Sequence, residues 1–201
     1  VRVININDPP VIGDIPDITF PEDSLASLSL DDYVTDVDDS LSVLVWTAES
    51  DSSQVSITID SISHVATFIP DSNYFGSSIP VTFTVQDTAG AADTTTISLT
   101  VTAINDPPVF SAAPGSVTFL EDSSYTLVLS DWYSIVEDVD DPDSALSWSF
   151  SGYTSLTLGQ TSDSVTITPD PNWFGEDSIV IIVSDGYLSD TTNLSITVTA
   201  V

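Results

Sequence analysis

Acidic side chains recur at matched places in this sequence, and they are the residues best suited to chemistry. Asp36-Val37-Asp38-Asp39 and Asp138-Val139-Asp140-Asp141 are two copies of one motif. Ca²⁺ accepts six to eight oxygen ligands in irregular geometry, so carboxylates from several loops suit it better than Mg²⁺ or a transition metal. A single Asp-x-Asp is also common in solvated turns. Because the motif is repeated, we predict a calcium site.

Other reactive constellations are weak. An EF-hand loop is excluded because Leu41 and Thr47 occupy the sixth and twelfth positions counted from Asp36, where Gly and Glu are required. The only histidine, His64, falls between predicted strands, and we expect it at the surface or the rim. No nucleophile and base are paired, and no cleft is indicated in which a glycosidase carboxyl group would stay neutral. We therefore predict that the protein is not an enzyme.

The charge of the chain limits its partners. It has 31 acidic residues against a single basic side chain, Arg2, and a formal net charge of -30. Such a surface repels nucleic-acid phosphates and anionic lipids and attracts cations. The chain has no cysteine, so disulfides and thiolate metal sites are excluded, and it has no apolar run of about 18 residues that could enter a membrane. The abundance of Asp, Ser and Thr with no Lys predicts a secreted, extracellular protein, and we expect it to be a monomer.

A duplicated linker divides the chain. Ile6-Asn7-Asp8-Pro9-Pro10-Val11 returns unchanged as Ile104-Asn105-Asp106-Pro107-Pro108-Val109. Proline has no amide proton for a sheet ladder and keeps the preceding residue extended, so each copy ends a strand and begins a stiff linker. We predict the end of a preceding repeat and its linker in residues 1–8, a first repeat in 9–104, and a linker with a second repeat in 105–201. Val1–Ile6 is predicted to be the last strand of that preceding repeat.

The elements that must position the acidic residues are short strands. Each repeat has about seven candidate strands with turn signals every 8–12 residues or so, and no amphipathic helix, which is typical of an Ig-like sandwich. One strand is predicted over Leu41–Trp46 and its counterpart over Ala145–Phe150, with both tryptophans in a core. The motif Asn73-Tyr74-Phe75-Gly76 and its counterpart, residues 172–175, are predicted to form an aromatic plug in a turn. The fold class is therefore all-β, with two tandem Ig-like domains arranged end to end.

Five motifs occur twice in the same order: Asn-Asp-Pro-Pro-Val, Phe-(Pro or Leu)-Glu-Asp-Ser, Asp-Val-Asp-Asp, Asn-(Tyr or Trp)-Phe-Gly and a late Asp. Together they resemble the cadherin-like tandem repeats of large bacterial surface proteins and adhesins, over nearly the whole chain. The resemblance implies calcium held at the junction between repeats. It implies a calcium-stiffened spacer or adhesive stalk whose partners are the neighbouring repeats of the same chain.

The same resemblance implies the ligands. At the junction of the two repeats they would be Glu22, Asn105, Asp106, Asp138, Asp140 and Asp185. A half-site near the start would comprise Asn7, Asp8, Asp36, Asp38 and Asp87, and Glu121 would serve a following repeat. Vertebrate cadherins carry an Asp-Arg-Glu-like segment where this chain has Asn-Tyr-Phe-Gly or Asn-Trp-Phe-Gly, so the number of ions per junction, one to three, stays open.

The alternative function is a module that binds a cell-surface glycan or protein. Its candidate contact residues are Trp132 and Tyr133, which lie in an insertion found only in the second repeat. We expect these aromatic residues to pack on their own sandwich, because exposed aromatic pairs are uncommon without a partner. Asn193-Leu194-Ser195 matches a glycosylation acceptor, but it falls in a predicted strand, and such triplets occur by chance.

Overall fold

A computed structural model describes residues 6–201, and the chain divides into two compact units, Val1–Ile104 and Asn105–Val201. The strands of unit 1 are β1 Val11–Ile12, β2 Ile18–Pro21, β3 Ala26–Ser29, β4 Val34–Thr35, β5 Val45–Ser50, β6 Val55–Ile59, β7 Val65–Pro70, β8 Gly76–Gln86 and β9 Ala92–Thr102. Those of unit 2 are β10 Val109–Phe110, β11 Ser116–Leu120, β12 Tyr125–Val128, β13 Val136–Glu137, β14 Ser147–Ser151, β15 Leu156–Gln160, β16 Ser164–Pro169, β17 Gly175–Ser184 and β18 Ser189–Thr199. Within residues 6–201, no helix has the length and apolar character needed to cross a membrane.

Both units have the same Ig-like strand order. In unit 1 a four-stranded sheet has the order β2-β9-β8-β5, a three-stranded sheet has the order β3-β7-β6, and β1 pairs with β4. In unit 2 the corresponding orders are β11-β18-β17-β14 and β12-β16-β15, and β10 pairs with β13. In each unit the first strand of the larger sheet runs parallel to the last strand, β2 to β9 and β11 to β18. The predicted all-β class with two tandem Ig-like domains is confirmed.

Alternating side chains form these sheets. In β8, Val81, Phe83 and Val85 are fully buried, whereas Thr82 and Thr84 face the other side of the sheet. The period of two matches a sheet with one face against the core, and β-branched and aromatic residues favour the pleated backbone. Burial of each large apolar side chain contributes about 1.5–3 kcal/mol. Each sandwich therefore has its own hydrophobic core.

Aromatic rings fill both cores. In unit 1 the ring of Phe83 meets those of Trp46 and Phe68 edge to face, with centroids 6.4 and 6.3 Å apart. In unit 2 the ring of Trp148 lies 5.7 Å from that of Trp132, and both side chains are more than nine-tenths buried. Both tryptophans predicted for the cores, Trp46 and Trp148, are thus in them.

The structure differs from the sequence-based expectation in several elements. Leu41–Val43 is a 3-10 helix and not the start of a strand, so β5 begins only at Val45. The amides of Val43 and Leu44 donate to the carbonyls of Ser40 and Leu41, because the chain turns after the acidic loop before it enters the sheet. In the aromatic turn motifs, only the first ring of each pair packs on the core, and the following phenylalanines, Phe75 and Phe174, are more than half exposed.

His64 is buried, so its predicted place at the surface is wrong. Its side chain is only 2% exposed, and its Nδ1 lies 2.8 Å from Oδ1 of Asp31. The backbone at His64 has a φ of 49°, a left-handed conformation that lets this hairpin residue turn its ring inward. The carboxylate partner makes burial of the polar ring possible.

The predicted strand over Val1–Ile6 falls mostly on residues 1–5, which lie outside the described residues.

Candidate metal centres

Three aspartates of unit 1 converge from two loops. Asp36 and Asp39 follow β4, and Asp87 follows β8. Each offers a carboxylate oxygen, and these oxygens all lie within 4.8 Å of one another. We call Asp36, Asp39 and Asp87 cluster 1.

Asp36 shapes its own loop and keeps one oxygen free of hydrogen bonds. Its Oδ1 accepts hydrogen bonds from the amides of Asp38 and Asp39, both at 2.8 Å, which closes the turn. Its Oδ2 has no exposed surface and no hydrogen-bond partner among residues 6–201. A buried carboxylate oxygen without a donor is costly, which is the situation that a bound cation would relieve.

Asp87 is held by its own loop and by the linker. Its Oδ1 accepts from the amides of Ala89 and Ala91 at 2.9 and 2.8 Å, and its Oδ2 accepts from the side-chain amide of Asn7 at 2.7 Å. The hydrogen bond from Asn7 is the main cause that lowers the pKa of Asp87, and the loop amides add to it. The carboxylate is therefore held in the ionised form that a metal ligand needs.

Cluster 2 repeats this arrangement in unit 2 with Asp138, Asp141 and Asp185, whose ligand oxygens also lie within 4.8 Å of one another. Oδ1 of Asp138 accepts from the amides of Asp140 and Asp141 at 3.0 and 2.9 Å, and its Oδ2 is again buried without a partner in the described part of the chain. The geometry of the first loop is thus reproduced in the second copy.

Asp185 is the counterpart of Asp87. Its Oδ2 accepts from the side-chain amide of Asn105 at 2.8 Å, and its Oδ1 accepts from the amides of Tyr187 and Leu188 at 2.6 and 2.7 Å. The hydrogen bond from Asn105 is again the main cause that lowers the pKa of Asp185, followed by those loop amides.

The two clusters differ at one position. In cluster 1, Oδ2 of Asp39 accepts hydrogen bonds from the hydroxyl and the amide of Thr88, at 2.9 and 3.3 Å. In cluster 2, Gly186 occupies the corresponding place and has no hydroxyl to offer Asp141. The Asp39 carboxylate is thus oriented by a neighbour that Asp141 lacks.

The structure places the predicted ligands in two different roles. Asp36, Asp87, Asp138 and Asp185 belong to the clusters, and Asn7 and Asn105 hold two of them by hydrogen bonds. Asp38 and Asp140 instead accept the amides of Asp8 and Asp106, at 2.7 and 2.8 Å, and so hold the linkers to their units. The third carboxylate of each cluster comes from Asp39 or Asp141, which the sequence-based set omitted. The fourth letter of the repeated Asp-Val-Asp-Asp motif was the signal available for them.

Glu22 lies where the chain leaves unit 1. Its Oε1 accepts a hydrogen bond from the amide of Ile104 at 2.7 Å, and the residue is 1% exposed. Its Oε2 is buried with no partner within the described residues. Glu121 makes the matching contact in unit 2, where its Oε1 accepts from the amide of Val201 at 3.1 Å.

These clusters can bind a hard cation. Carboxylate oxygens are the ligands that Ca²⁺ and Mg²⁺ prefer, and neither cluster contains an imidazole or a thiolate that would favour a transition metal.

The two aromatic residues of the insertion in the second repeat do not form an exposed pair. Trp132 is 7% exposed and lies against Trp148 and Phe150, with ring centroids 5.7 and 6.4 Å apart. Tyr133 packs against the same core. The expectation that these rings pack on their own sandwich is confirmed.

Several solved structures are similar to this chain at low sequence identity. Protocadherin gamma B2 extracellular cadherin domains 1–5 are 18% identical with a TM-score of 0.46, and the match covers 91% of this chain and 38% of that one. An I-band fragment of titin is 17% identical with a TM-score of 0.41, covering 95% of this chain and 66% of that one. The endo-fucoidan hydrolase MfFcnA4 from glycoside hydrolase family 107 is 22% identical with a TM-score of 0.39.

This chain covers less than a third of that hydrolase, since the match spans 96% of this chain and 29% of the enzyme. No curated protein matches the sequence. The bacterial Ig domain family matches residues 7–100 and again residues 105–197, so this chain belongs to that family as a tandem pair of its domains.

Proposed function

We propose that this chain is a calcium-binding tandem repeat that acts as a rigidified spacer or adhesive stalk segment of a large cell-surface or secreted adhesin. The observation that carries the proposal is that the same three-carboxylate cluster is built twice. Each copy includes an aspartate oxygen that is buried without a hydrogen-bond partner among the described residues. A turn that needed only a cap would use one oxygen and leave the other in water.

Calcium is the cation that the donor set supports best. Mg²⁺ demands near-ideal octahedral geometry and gives up its water reluctantly, whereas Ca²⁺ accepts irregular sets of carboxylates, carbonyls and water. In cluster 1, Asp36 and Asp39 come from one loop and Asp87 from another, an irregular arrangement of this kind. The lowered pKa of Asp87 keeps its carboxylate ionised to a lower pH than an ordinary aspartate, and a metal ligand must be deprotonated.

The spacer role rests on how the linker is held. Asn105 and Asp106 are hydrogen-bonded to Asp185 and Asp140 of unit 2, and Ile104, the residue just before them, is hydrogen-bonded to Glu22 of unit 1. A cation that binds Asp185 would also hold Asn105 in place. The free energy of calcium binding would then limit the motion of the linker. Glu22 is a ligand that the family resemblance predicts, and its Oε2 is buried without a partner among residues 6–201, as a cation ligand would be.

The proposed location follows from the family. Bacterial Ig domains are typically found on surface proteins and are typically non-catalytic. The chain has no cysteine, so no disulfide can stiffen it. Its net charge of -30 attracts cations, and calcium is a cation that extracellular water supplies. A glycan-binding role has lost its main support because Trp132 is buried.

Calcium titration by calorimetry, with small-angle scattering in calcium and in chelator, tests the proposal. We expect calorimetry to detect calcium binding. We expect small-angle scattering to show a narrower distribution of molecular dimensions in calcium than in chelator. Glu22→Gln should weaken calcium binding, because Glu22 is a predicted ligand, whereas the matched variant Glu121→Gln should leave it unchanged. Absence of any heat of binding would remove the calcium proposal. Binding with identical scattering profiles would leave calcium in place and remove the spacer mechanism.

A further inference from the structure

A small cavity in unit 1 lies apart from both metal clusters. Its volume is about 90 Å³, and its lining includes Trp46, Ile59, Ser61 and His64. Val45, which is 58% exposed, and the exposed Ser61 also line this cavity. The cavity is therefore bordered both by core residues and by residues of the surface.

Two of the lining side chains are buried polar groups. Trp46 is 6% exposed, and its indole Nε1 has no hydrogen-bond partner among residues 6–201. His64 is 2% exposed, and its Nδ1 is already engaged by Asp31. The second ring nitrogen of His64 and the hydroxyl of Ser61 are further polar groups on residues that line the same space.

A buried indole N–H without an acceptor is uncommon in native proteins, and buried water is the usual partner when space and polar groups are present. A cavity needs roughly 10–15 Å³ of such space to hold one water, so a cavity of about 90 Å³ has room for ordered water. A buried water needs two to four polar partners, and Trp46, His64 and Ser61 supply three.

We propose that this cavity is a binding site for ordered water, which accepts the indole N–H of Trp46 and links it to His64. The bound water would hydrogen-bond to the His64–Asp31 pair while the rings of Trp46 and His64 stay in the core. This inference does not depend on calcium, because none of the lining residues belongs to cluster 1.

Unit 2 offers an internal control. Trp148 occupies the place of Trp46, and its Nε1 is also buried without a hydrogen-bond partner in the described chain. Its ring, however, lies 5.7 Å from that of Trp132, at an interplanar angle of 48°. The ring of Phe110 also packs against this indole, with centroids 6.0 Å apart. Two neighbouring rings leave less room for water beside Trp148, so we expect no ordered water there.

The experiment is nuclear magnetic resonance of the full 201-residue chain, reading cross-relaxation between water and the indole protons. We expect Trp46 to show a water contact with the sign that marks a long-lived bound molecule, and Trp148 to show none. Assignment comes from Trp46→Phe, which must lose that one signal.

A second variant separates water from mere proximity to solvent. Ser61→Leu removes the hydroxyl and places a larger apolar side chain in the cavity lining, so it should abolish the water contact of Trp46. The indole proton resonance of Trp148 should keep its position, which shows that the fold is intact. A parent protein without the Trp46 contact, or a Ser61→Leu variant that retains it, would overturn the proposal. Equal contacts at Trp46 and Trp148 would overturn it as well.

Discussion

Asp138→Asn should change the stability of unit 2 in opposite directions with and without calcium. Asparagine has nearly the shape of aspartate and keeps the Oδ1 acceptor that caps the amides of Asp140 and Asp141. The substitution therefore preserves the loop and removes only the charge. Without metal, that charge repels its neighbours in cluster 2. With metal, the same charge is a ligand.

The size of the effect follows from the spacing in cluster 2. Oxygens of Asp138 and Asp141 lie within 4.8 Å of each other, where two unit charges repel by about 3 kcal/mol at an effective dielectric of 20 and about 1 kcal/mol in bulk water. Both residues are partly exposed, so solvent screening favours the lower value. A gain of about 1 kcal/mol should raise the melting temperature of a domain of this size by roughly 4–8 °C in chelator.

In the presence of calcium, the same substitution should lower the stability of unit 2. At a free calcium concentration of about 100 times the parent dissociation constant, binding stabilises the parent by about 2.7 kcal/mol. If one lost carboxylate weakens binding about 100-fold, the variant gains only about 0.4 kcal/mol from the same calcium. After the relieved repulsion is added, Asp138→Asn should be about 1 kcal/mol less stable than the parent in calcium.

Thermal unfolding followed by calorimetry in chelator and in calcium measures both terms. Asp163→Asn is the matched control, because it removes one exposed carboxylate from unit 2 outside cluster 2, and it should shift both melting temperatures equally. If Asp138→Asn shifted the melting temperature in the same direction in both buffers, the reasoning would be refuted, since the carboxylate would then not act as a calcium ligand.

Three further perturbations test other parts of the structure. Thr88→Val removes the hydroxyl that orients Asp39, so calcium affinity at cluster 1 should fall by roughly 3-fold or more in calorimetry, the loss of one hydrogen bond to a charged group; unchanged affinity would exclude an orienting role. For Asp177, burial opposes ionisation, but amide hydrogen bonds prevail and lower its pKa, so its stabilisation is present above the unfolded value of about 4 and is lost as the pH falls through the folded value. Asp177→Asn should make the melting temperature depend less on pH between about pH 5 and 2. A pH dependence as steep as that of the parent would contradict the direction of this pKa shift. Trp132→Ala should destabilise unit 2 by about 3–5 kcal/mol, because it leaves a cavity in the core, and a change below 1 kcal/mol would mean that the ring is dispensable.

The sequence was sufficient for the repeat and for the fold class. Alternating strands and proline-paired linkers have few other interpretations, and the linker contacts follow the repeat closely. Asn7 and Asn105 both reach an aspartate that follows a long strand, Asp87 in one unit and Asp185 in the other. A motif that recurs with its partners in the same order can therefore be placed in three dimensions without coordinates.

Details of individual turns could not be predicted in this way. Each Asp-Val-Asp-Asp loop holds three carboxylates within four positions. Which of the later two joins Asp36 depends on how Oδ1 of Asp36 closes the turn. That turn directs Asp38 to the linker amide of Asp8 and Asp39 to cluster 1. The burial of His64 depends on a left-handed backbone angle and on the carboxylate of Asp31, which is distant in sequence. The residues next to His64 in the sequence reveal neither feature.

The parallel pairing of β2 with β9 determines how unit 1 would respond to tension. Because these strands point the same way, a pull on the start of β2 and on the end of β9 would slide one strand along the other, over the register from Ile18–Leu99 to Pro21–Thr102. The ladder bonds would then share the load and would have to break together, whereas an antiparallel pair pulled from one end would open one bond at a time. β11 and β18 repeat this geometry in unit 2. Each domain would accordingly resist stretching through its terminal strands, whether or not a cation is bound.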